Sequence, residues 1–323
     1  MSEPEIAVGR RRGPRWRQVA HGVHRKALEA PLRGLQATED DGRHLARAEH
    51  MADLRAWQAI LPPTACFTHL TAAGVVGLWL PPTPANLPVL VSMPKSEERP
   101  RRGGLRVSRL TVPFEPLLVE GLRVAPMPEV LLACARDLGL LDLVVLLDSA
   151  LRCGHCTLED LEDVAGPRRR GAPALRAALR FADPRAESPW ETVLRVFHVL
   201  CEVPVEPQRE LCDEGGAFVA RGDLWLRGTR TLHEYDGAVH RDRRTHVNDL
   251  ARERRLVNAG WTRRGYTAAD LLGRPLVMLR EADAALGRPH NPARVVPWVE
   301  ALRDSAFTDI GRRRLSERCR RTR

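Results

Sequence analysis

Hydrophobic and polar positions along the chain alternate between helical and strand-like spacing. In the first half, apolar residues recur at helical spacing from Leu54 to Ile60 and again after Thr68, which suits an N-cap. Residues 15–19 and 22–25 are predicted as a short helix and a strand. The elements predicted next are strands at Val89–Ser92, Leu105–Leu110 and Leu122–Val124, and helices at Pro128–Leu138, Leu141–Arg152 and from Thr157 to Val164.

The second half has a different order of elements, which predicts an α/β domain. The predicted order is helix Pro189–Leu200, strands Pro207–Leu211, Phe218–Leu226 and Thr231–Asp236, helix Arg243–Ala259, strand Trp261–Tyr266 and a helix from Thr267. The basic turn Gly166–Pro173 is the best candidate for a boundary. The predicted division is a basic segment 1–50, an α+β region 51–180, an α/β domain 184–290, and a C-terminal helix and basic tail 291–323. The tail from Arg312 onwards is predicted to be disordered.

Composition adds a strong positive charge to this picture. The 323 residues carry a formal net charge of +10, which indicates a polyanionic partner, either nucleic acid or a membrane surface. Aromatic residues make up only 5% of the chain, so the cores should be aliphatic. Lys26 and Lys95 are the only lysines, and therefore no reaction in the second half can use a lysine.

The chain is expected to be cytoplasmic. Its acidic start at Met1–Glu5 precedes an arginine cluster and lacks the apolar region of a signal peptide. The most apolar run, Leu138–Leu147, is too short to cross a membrane and contains Asp142. Seven cysteines, an odd number in a long chain, indicate reduced thiols.

Four carboxylates form the most distinctive pattern. Glu234 and Asp236 alternate on one predicted strand, so they share a face, and Gly237 follows them. A turn around Gly228 would make this strand a hairpin with the preceding one, so that Asp223 becomes a cross-strand neighbour of Glu234. Glu191 begins the helix that precedes them. Oxygen-rich sites of this kind suit Mg²⁺ or Mn²⁺.

This order of carboxylates resembles the PD-(D/E)XK nuclease superfamily. The piece Glu234-Tyr235-Asp236-Gly237, with His240 three residues on and Gly260-Trp261 on a following strand, is most similar to the branch related to very-short-patch mismatch repair endonucleases. The resemblance covers about residues 184–290 and implies a restriction-endonuclease-like fold. It implies that Asp223 and Glu234 bind the metal, that Glu191 assists, and that His240 assists proton transfer or stabilises the leaving group.

One position departs from that superfamily. It usually has a lysine two residues after the second carboxylate, and Asp236 occupies that place here. The positive charge of the missing lysine could come from His240 or from an arginine, the candidates being Arg243, Arg252 and Arg255. A second possibility is a two-metal site with Asp236 as an extra ligand. The third possibility is loss of cleavage with binding retained.

Structural alternatives apply to several of these residues. Ser188 and Glu191 have capping-box spacing, so Glu191 could serve only the helix. His240 could be an ordinary loop residue, and Glu234 with Asp236 a solvated strand face. Cys153 and Cys156 form a C-x-x-C pair, which resembles a disulfide-exchange dithiol, although a helix rather than a strand precedes it.

The first half resembles the antitoxin and regulator region of abortive-infection (AbiEi-type) systems. The resemblance depends on Gly22–Arg25, Thr68–Ala73 and Gly77–Trp79. It implies a winged-helix-like element that contacts DNA through Thr68, His69, Thr71, Arg101 and Arg102, joined in the second half by Arg243 and Arg252. The alternative is a helix buried as scaffold.

These patterns together predict a Mg²⁺-dependent DNA endonuclease. The competing hypothesis is a DNA-binding regulator of antitoxin type that keeps a nuclease-like fold without catalysis. A redox protein that uses Cys153 and Cys156 is a third hypothesis.

Overall fold

The chain has a mixed α/β fold. The computed structural model describes residues 5–9, 13, 15–28, 39–110, 112–166, 168–213, 215–237 and 243–320, with the backbone alone at 39–43 and 243–250. These residues form twelve α-helices and three β-sheets. Across these ranges, every helix is too short or too polar to cross a membrane.

The first sheet has three antiparallel strands and packs against a long helix. It contains β1 (Ile6–Val8), β2 (Trp16–Ala20) and β3 (Val23–Lys26) in the order β1-β3-β2, and the helix is α1 (Glu39–Gln58). The prediction of a helix at residues 15–19 is wrong, because Gly22 turns the chain back at φ +71° and pairs this segment with β3. Arg25 joins the sheet to α1 through a 2.6 Å bond to Asp53.

The second sheet is mixed and has five strands. Its elements are β4 (Cys66–Phe67), α2 (His69–Val76), β5 (Val89–Met93), β6 (Leu105–Arg109), β7 (Leu117–Val119) and β8 (Leu122–Val124), with strand order β6-β5-β4-β8-β7. The three strands predicted here are confirmed to within one residue. Thr68 occupies the N-cap position of α2 as predicted, although its side chain makes no capping bond.

A helical layer follows this sheet. It consists of α3 (Met127–Cys134), α4 (Leu140–Arg152), α5 (Leu158–Val164) and α6 (Ala172–Leu179). The side chain of Thr157 accepts the backbone N–H of Asp160, and the Asp160 carboxylate accepts the backbone N–H of Thr157, so the predicted cap of α5 is confirmed. The apolar helix α4 is buried along most of its length.

The third sheet carries the candidate carboxylates. In chain order the elements are α7 (Pro189–Leu200), β9 (Val205–Cys212), β10 (Phe218–Leu226), β11 (Thr231–Tyr235), α8 (Arg243–Asn258), β12 (Thr262–Tyr266), α9 (Ala268–Gly273) and α10 (Pro275–Ala285). The strand order is β12-β11-β10-β9, with only β11 and β12 parallel. This order of elements confirms the one predicted for the second half.

The C-terminal part is mostly helical. It contains a 3₁₀ turn (Pro292–Val295), α11 (Val296–Arg303) and α12 (Asp309–Arg320). The prediction of disorder after Arg312 is wrong for α12, because Leu315 and Cys319 are buried against the rest of the protein. Residues 321–323 lie outside the described part.

One hydrophobic cluster runs from Ala20 to Cys319 and crosses the predicted boundary. Two buried carboxylates of α4 help to join the halves. Asp142 accepts hydrogen bonds from Ser305 (2.6 Å) and the backbone of Ala306 (2.8 Å), and Asp148 accepts one from Arg195 (2.7 Å). The turn at residues 166–173 therefore does not separate two cores, and the division into domains stays a prediction.

Candidate functional site

The hairpin of β10 and β11 brings Asp223 and Glu234 together. Gly228, with φ +81°, supplies the left-handed turn residue. Leu224 pairs with His233, so the antiparallel register places Asp223 opposite Glu234 on the same face of the sheet. The cross-strand neighbourhood expected from the spacing is therefore confirmed.

Asp223 carries the largest electrostatic perturbation of this cluster. Burial raises the pKa of its carboxyl to about 7, and the nearby charges of Glu234 and Glu191 contribute to the rise. The only hydrogen bond described at this carboxylate comes from the backbone N–H of Tyr235, at 3.3 Å. Three carboxylates therefore converge here, and Asp223 is the one whose charge is least compensated.

Glu191 serves both the helix and the cluster. Its backbone N–H donates to the side chain of Ser188 (3.2 Å), as the capping spacing predicts. Its carboxylate accepts the backbone N–H of Glu187 at 2.8 Å and the side-chain amide of Gln208 at 3.0 Å. The backbone of Glu191 therefore takes part in the helix cap, as the structural alternative expects. Its carboxylate is still close enough to raise the pKa of Asp223.

Glu234 is almost fully buried and is paired with two arginines. Arg252 on α8 donates to Oε2 at 2.9 Å, and Arg263 on β12 donates to the same oxygen at 2.5 Å. Burial alone would raise the pKa of Glu234, but the hydrogen bonds from Arg252 and then Arg263 outweigh it and leave the pKa lowered. The solvated strand face considered as an alternative is thus excluded for Glu234.

Asp236 shares a cation with Glu234. Arg263 contacts both carboxylates, which confirms that the two acidic residues lie on one face. Tyr235 lies on the opposite face and stacks on Trp190, with ring centroids 5.3 Å apart.

Gly265 gives Asp236 the space that it needs. A Cβ atom at position 265 would collide with the Asp236 carboxylate. Any other residue at 265 would therefore displace Asp236 from its place beside Arg263.

The positive charge beside the cluster comes partly from a residue that sequence reasoning missed. Arg252 was a candidate, whereas Arg263 was not. The signal was present, because alternation along β12 puts Arg263 on the face that adjoins Glu234 once β12 is parallel to β11. His240 and the side chain of Arg243 lie outside the described residues.

A chain of buried hydrogen bonds supports β11 from behind. His198 Nδ1 lies 2.7 Å from the Leu194 carbonyl, and its Nε2 lies 2.7 Å from His233 Nδ1. Burial lowers the pKa of His198 to about 4 and that of His233 well below its ordinary value, so both rings are neutral. His198 therefore donates through Nδ1 and accepts through Nε2. This pair was not predicted, because it depends on tertiary contacts.

Three of the predicted DNA contacts in the first half are buried. Thr68, His69 and Thr71 have exposed fractions of 3%, 1% and 9%. The prediction that they contact DNA is wrong, because α2 packs against the five-stranded sheet and Thr71 accepts a hydrogen bond from the backbone of Leu90 (3.0 Å). The alternative of a scaffold helix is confirmed.

The two arginines of this region that are predicted to contact DNA lie on the surface, unlike the three buried residues of α2 and its cap. Arg101 and Arg102 are exposed, and Arg102 donates to the His21 carbonyl at 3.3 Å.

The C-x-x-C pair lies between α4 and α5. Cys153 is exposed and is the C-cap residue of α4, whereas Cys156 is buried. Burial, with a smaller contribution from Asp160, raises the pKa of Cys156 to about 11. The attacking thiol of such a dithiol is activated at a helix N-terminus, and Cys153 lies at a helix C-terminus instead, which does not favour the redox hypothesis.

The carboxylate cluster fits part of a metal site. Asp223 and Glu234 are adjacent carboxylates, and burial together with the charges of Glu234 and Glu191 raises the pKa of Asp223, which a divalent cation would lower again. In the described ranges, however, no three His, Cys, Asp or Glu side chains are arranged to hold a metal ion. Arginines cover Glu234 in this arrangement, so binding a metal would require a change in its partners.

Comparison with known proteins gives distant relatives only. No protein-family model and no solved structure matches the chain. Two curated Mycobacterium tuberculosis proteins, uncharacterized protein MT2308 of strain CDC 1551 / Oshkosh and uncharacterized protein Rv2248 of strain ATCC 25618 / H37Rv, are each 32% identical over 119 residues. The match covers 36% of this chain and 44% of each relative, so the chain spans less than half the length of the curated relatives it matches.

Proposed function

We propose that this protein hydrolyses DNA phosphodiester bonds with Mg²⁺ or Mn²⁺. The observation that carries the proposal is the position of Asp223, which is held beside Glu234 and near Glu191 with a pKa raised to about 7. Carboxylates held this close without enough counter-charge are typical of sites that a divalent cation completes. The resemblance to PD-(D/E)XK nucleases assigns the same residues to the same role.

Each residue of the cluster has a proposed task. Asp223 and Glu234 would hold the metal, which when bound lowers the pKa of a water and neutralises phosphate charge. Glu191 and Asp236 would tune this pair, and His240 would assist proton transfer. Arg252 and Arg263 lie beside Glu234 and would bind the scissile phosphate, in place of the missing lysine. An arginine cannot act as a base near neutral pH, so their task is to bind charge and not to move a proton.

The overall charge supports a nucleic-acid partner. A net charge of +10 gives sequence-independent affinity for the DNA backbone, which weakens steeply with salt. Arg101 and Arg102 are exposed and remain proposed contacts. Arg252, by contrast, already binds Glu234, so its contact with DNA would require it to leave or share that partner.

A second candidate function is DNA binding without cleavage, in an antitoxin-type regulator. One observation favours it: Arg252 and Arg263 already neutralise Glu234. If these ion pairs persist in solution, they occupy the oxygens that a metal would need. The two proposals therefore differ in whether a cation can displace the arginines.

A nicking assay separates the two proposals. Supercoiled plasmid is incubated with the full chain and Mg²⁺ or Mn²⁺, beside Asp223→Asn and a matched Glu206→Gln variant. Glu206 lies on β9 of the same sheet, where it pairs with Arg209. We expect metal-dependent nicking that falls at least about a hundredfold in Asp223→Asn, because a metal ligand is lost, and stays unchanged in Glu206→Gln.

The pH dependence of the same assay gives a second check. Metal binding needs the Asp223 carboxylate ionised, and its pKa is about 7. The Mg²⁺ concentration for half-maximal nicking should therefore rise as the pH falls below 7. A gel shift without nicking at any pH or metal concentration would favour the regulator instead.

A further inference from the structure

A basic cavity lies in the first half of the chain, away from the carboxylate cluster. Its volume is about 410 Å³, and seven cationic side chains and a single carboxylate, Asp137, line it. The cations come from distant parts of the chain, among them Arg106 and Arg109 on β6, Arg136 after α3, and Arg318 on α12. The fold therefore gathers these charges in one place.

Protein groups fix two of these cations in place. Arg106 donates two hydrogen bonds to Asp137, at 2.7 and 3.2 Å. Arg109 donates to the carbonyls of Pro94 and Glu97, both at 2.8 Å. Since Asp137 balances one arginine at most, the wall keeps a large excess of positive charge.

Of the remaining cations, Arg318 pairs with Asp304 at 3.0 Å, and three others have little compensation. Arg136 bonds through Nε to the Arg170 carbonyl at 3.3 Å, and no carboxylate contact is described for Arg136, Arg170 or Lys95. Burial lowers the pKa of Arg136, and the charge of Arg170 lowers it further. Like charges held together in this way require a bound anion or solvent ions to balance them.

His69 adds an unsatisfied polar group next to this cavity. It is 1% exposed, and neither ring nitrogen has a hydrogen-bond partner among the described residues. Its Nε2 atom lies 3.8 Å from Asp137, too far for a hydrogen bond. The small cavity that His69 lines shares Ser108, Arg109 and Arg136 with the basic one. A buried polar group without a partner is costly, so this one indicates a missing partner in the small cavity beside the basic one.

We propose that this cavity binds the polyphosphate chain of a small molecule, either a nucleoside di- or triphosphate or inorganic polyphosphate. The volume suits a small ligand, because such sites measure about 300–1,000 Å³. The excess of positive charge calls for several phosphate groups, and arginine forks match phosphate oxygens. His69 lines the adjoining small cavity of about 20 Å³, where one water would link a ring nitrogen to the ligand. This site is independent of the proposed nuclease activity.

Isothermal titration calorimetry of the full chain tests the proposal without any metal. Inorganic triphosphate, pyrophosphate and orthophosphate are the probes, and ATP is a fourth. We expect one site per chain, with affinity falling from triphosphate to orthophosphate by about tenfold or more for each phosphate removed. Tighter binding of ATP than of inorganic triphosphate would identify a nucleotide as the ligand, and the reverse would identify polyphosphate.

Matched variants assign the binding to this cavity. Lys95→Gln/Arg170→Gln changes two exposed side chains, so the fold should be kept, and it should weaken triphosphate binding at least about tenfold. Arg303→Gln removes an exposed arginine elsewhere and should change nothing. His69→Asn should weaken binding too, and asparagine tolerates the left-handed backbone at φ +49°.

Several outcomes would overturn the proposal. These are the absence of triphosphate binding, equal affinity for all three phosphates, or an equal loss in Arg303→Gln and the double variant. Weakened binding of duplex DNA in the double variant, with no triphosphate binding in the parent chain, would make the cavity a DNA contact. Asp223→Asn should bind triphosphate normally, so failure of the nuclease proposal leaves this test unaffected.

Discussion

The carboxylate cluster and the basic cavity both concentrate charge, but they balance it differently. In the cluster, arginines from α8 and β12 compensate Glu234, and the imbalance is confined to Asp223. In the cavity, seven positive side chains and one carboxylate form the lining, and Asp304 pairs with one of the seven, Arg318, at 3.0 Å. The cluster holds more carboxylates than arginines, whereas the cavity is strongly positive.

The difference matters because acids and arginines respond to crowding in different ways. A buried carboxylate near others can take up a proton, and burial with the charges of Glu234 and Glu191 raises the pKa of Asp223 to about 7, within reach of neutral pH. An arginine cannot lose its proton in that range. The cluster can therefore relieve its own strain by protonation, whereas the cavity needs an anion from outside.

The largest effect is expected from removing the charge of Asp223. The folded protein holds the pKa of this group above its ordinary value of 3.8, so the contribution to stability is full below pH 3.8 and is lost as the pH rises through about 7. Asp223→Asn removes the ionisable group, so the variant does not lose this stability as the pH rises. At pH 8 the variant should be more stable than the parent by up to about 4 kcal/mol, with a gain that shrinks towards pH 4. Urea unfolding at pH 4.5, 6, 7 and 8 measures it.

Glu234→Gln is the matched control and should have the opposite sign. It leaves Arg252 without its carboxylate partner and Arg263 with Asp236 alone, in a mostly buried place, and we expect a loss of about 2 kcal/mol at pH 8. If both variants destabilise the protein equally, the two acids are compensated alike and the contrast drawn between them is wrong.

Substitutions of two buried histidines, one near each region, should have stability costs of intermediate size that differ from each other. His198 is bonded at both ring nitrogens, so His198→Asn breaks the chain to His233 and should cost about 2 kcal/mol at pH 8. His69 has no described partner, and His69→Asn should cost less than half of that. Thermal unfolding of both variants in phosphate-free buffer checks the ranking. Equal costs would mean that His69 has a partner within the protein.

Local patterning was enough to predict the hairpin and its acidic pair. Alternation within the two strands and the short turn at Gly228 set which residues share a face, and neither depends on distant contacts. The helix-and-strand order of the second half was predictable for the same reason.

The partners of these residues could not be predicted in this way. Arg263 reaches Glu234 only because β12 returns parallel to β11 after α8, which single-strand alternation does not reveal. Likewise the small residues of α2 suit both a buried helix and one packed in a DNA groove, and only the five-stranded sheet decides in favour of burial. The basic cavity was missed because its arginines come from separate elements.

The smallest effect tests whether the basic cavity is under electrostatic strain in the absence of a ligand. Lys95→Gln/Arg170→Gln removes two exposed positive charges from a crowded wall, so it should raise the melting temperature by less than about 2 °C at low salt. In 1 M NaCl the Debye length is about 3 Å and the difference should vanish. Arg303→Gln, which lies outside the cavity, should show no gain at either salt concentration. A lower melting temperature for the double variant at low salt would mean that these side chains stabilise the fold directly, and the contrast with the carboxylate cluster would then fail.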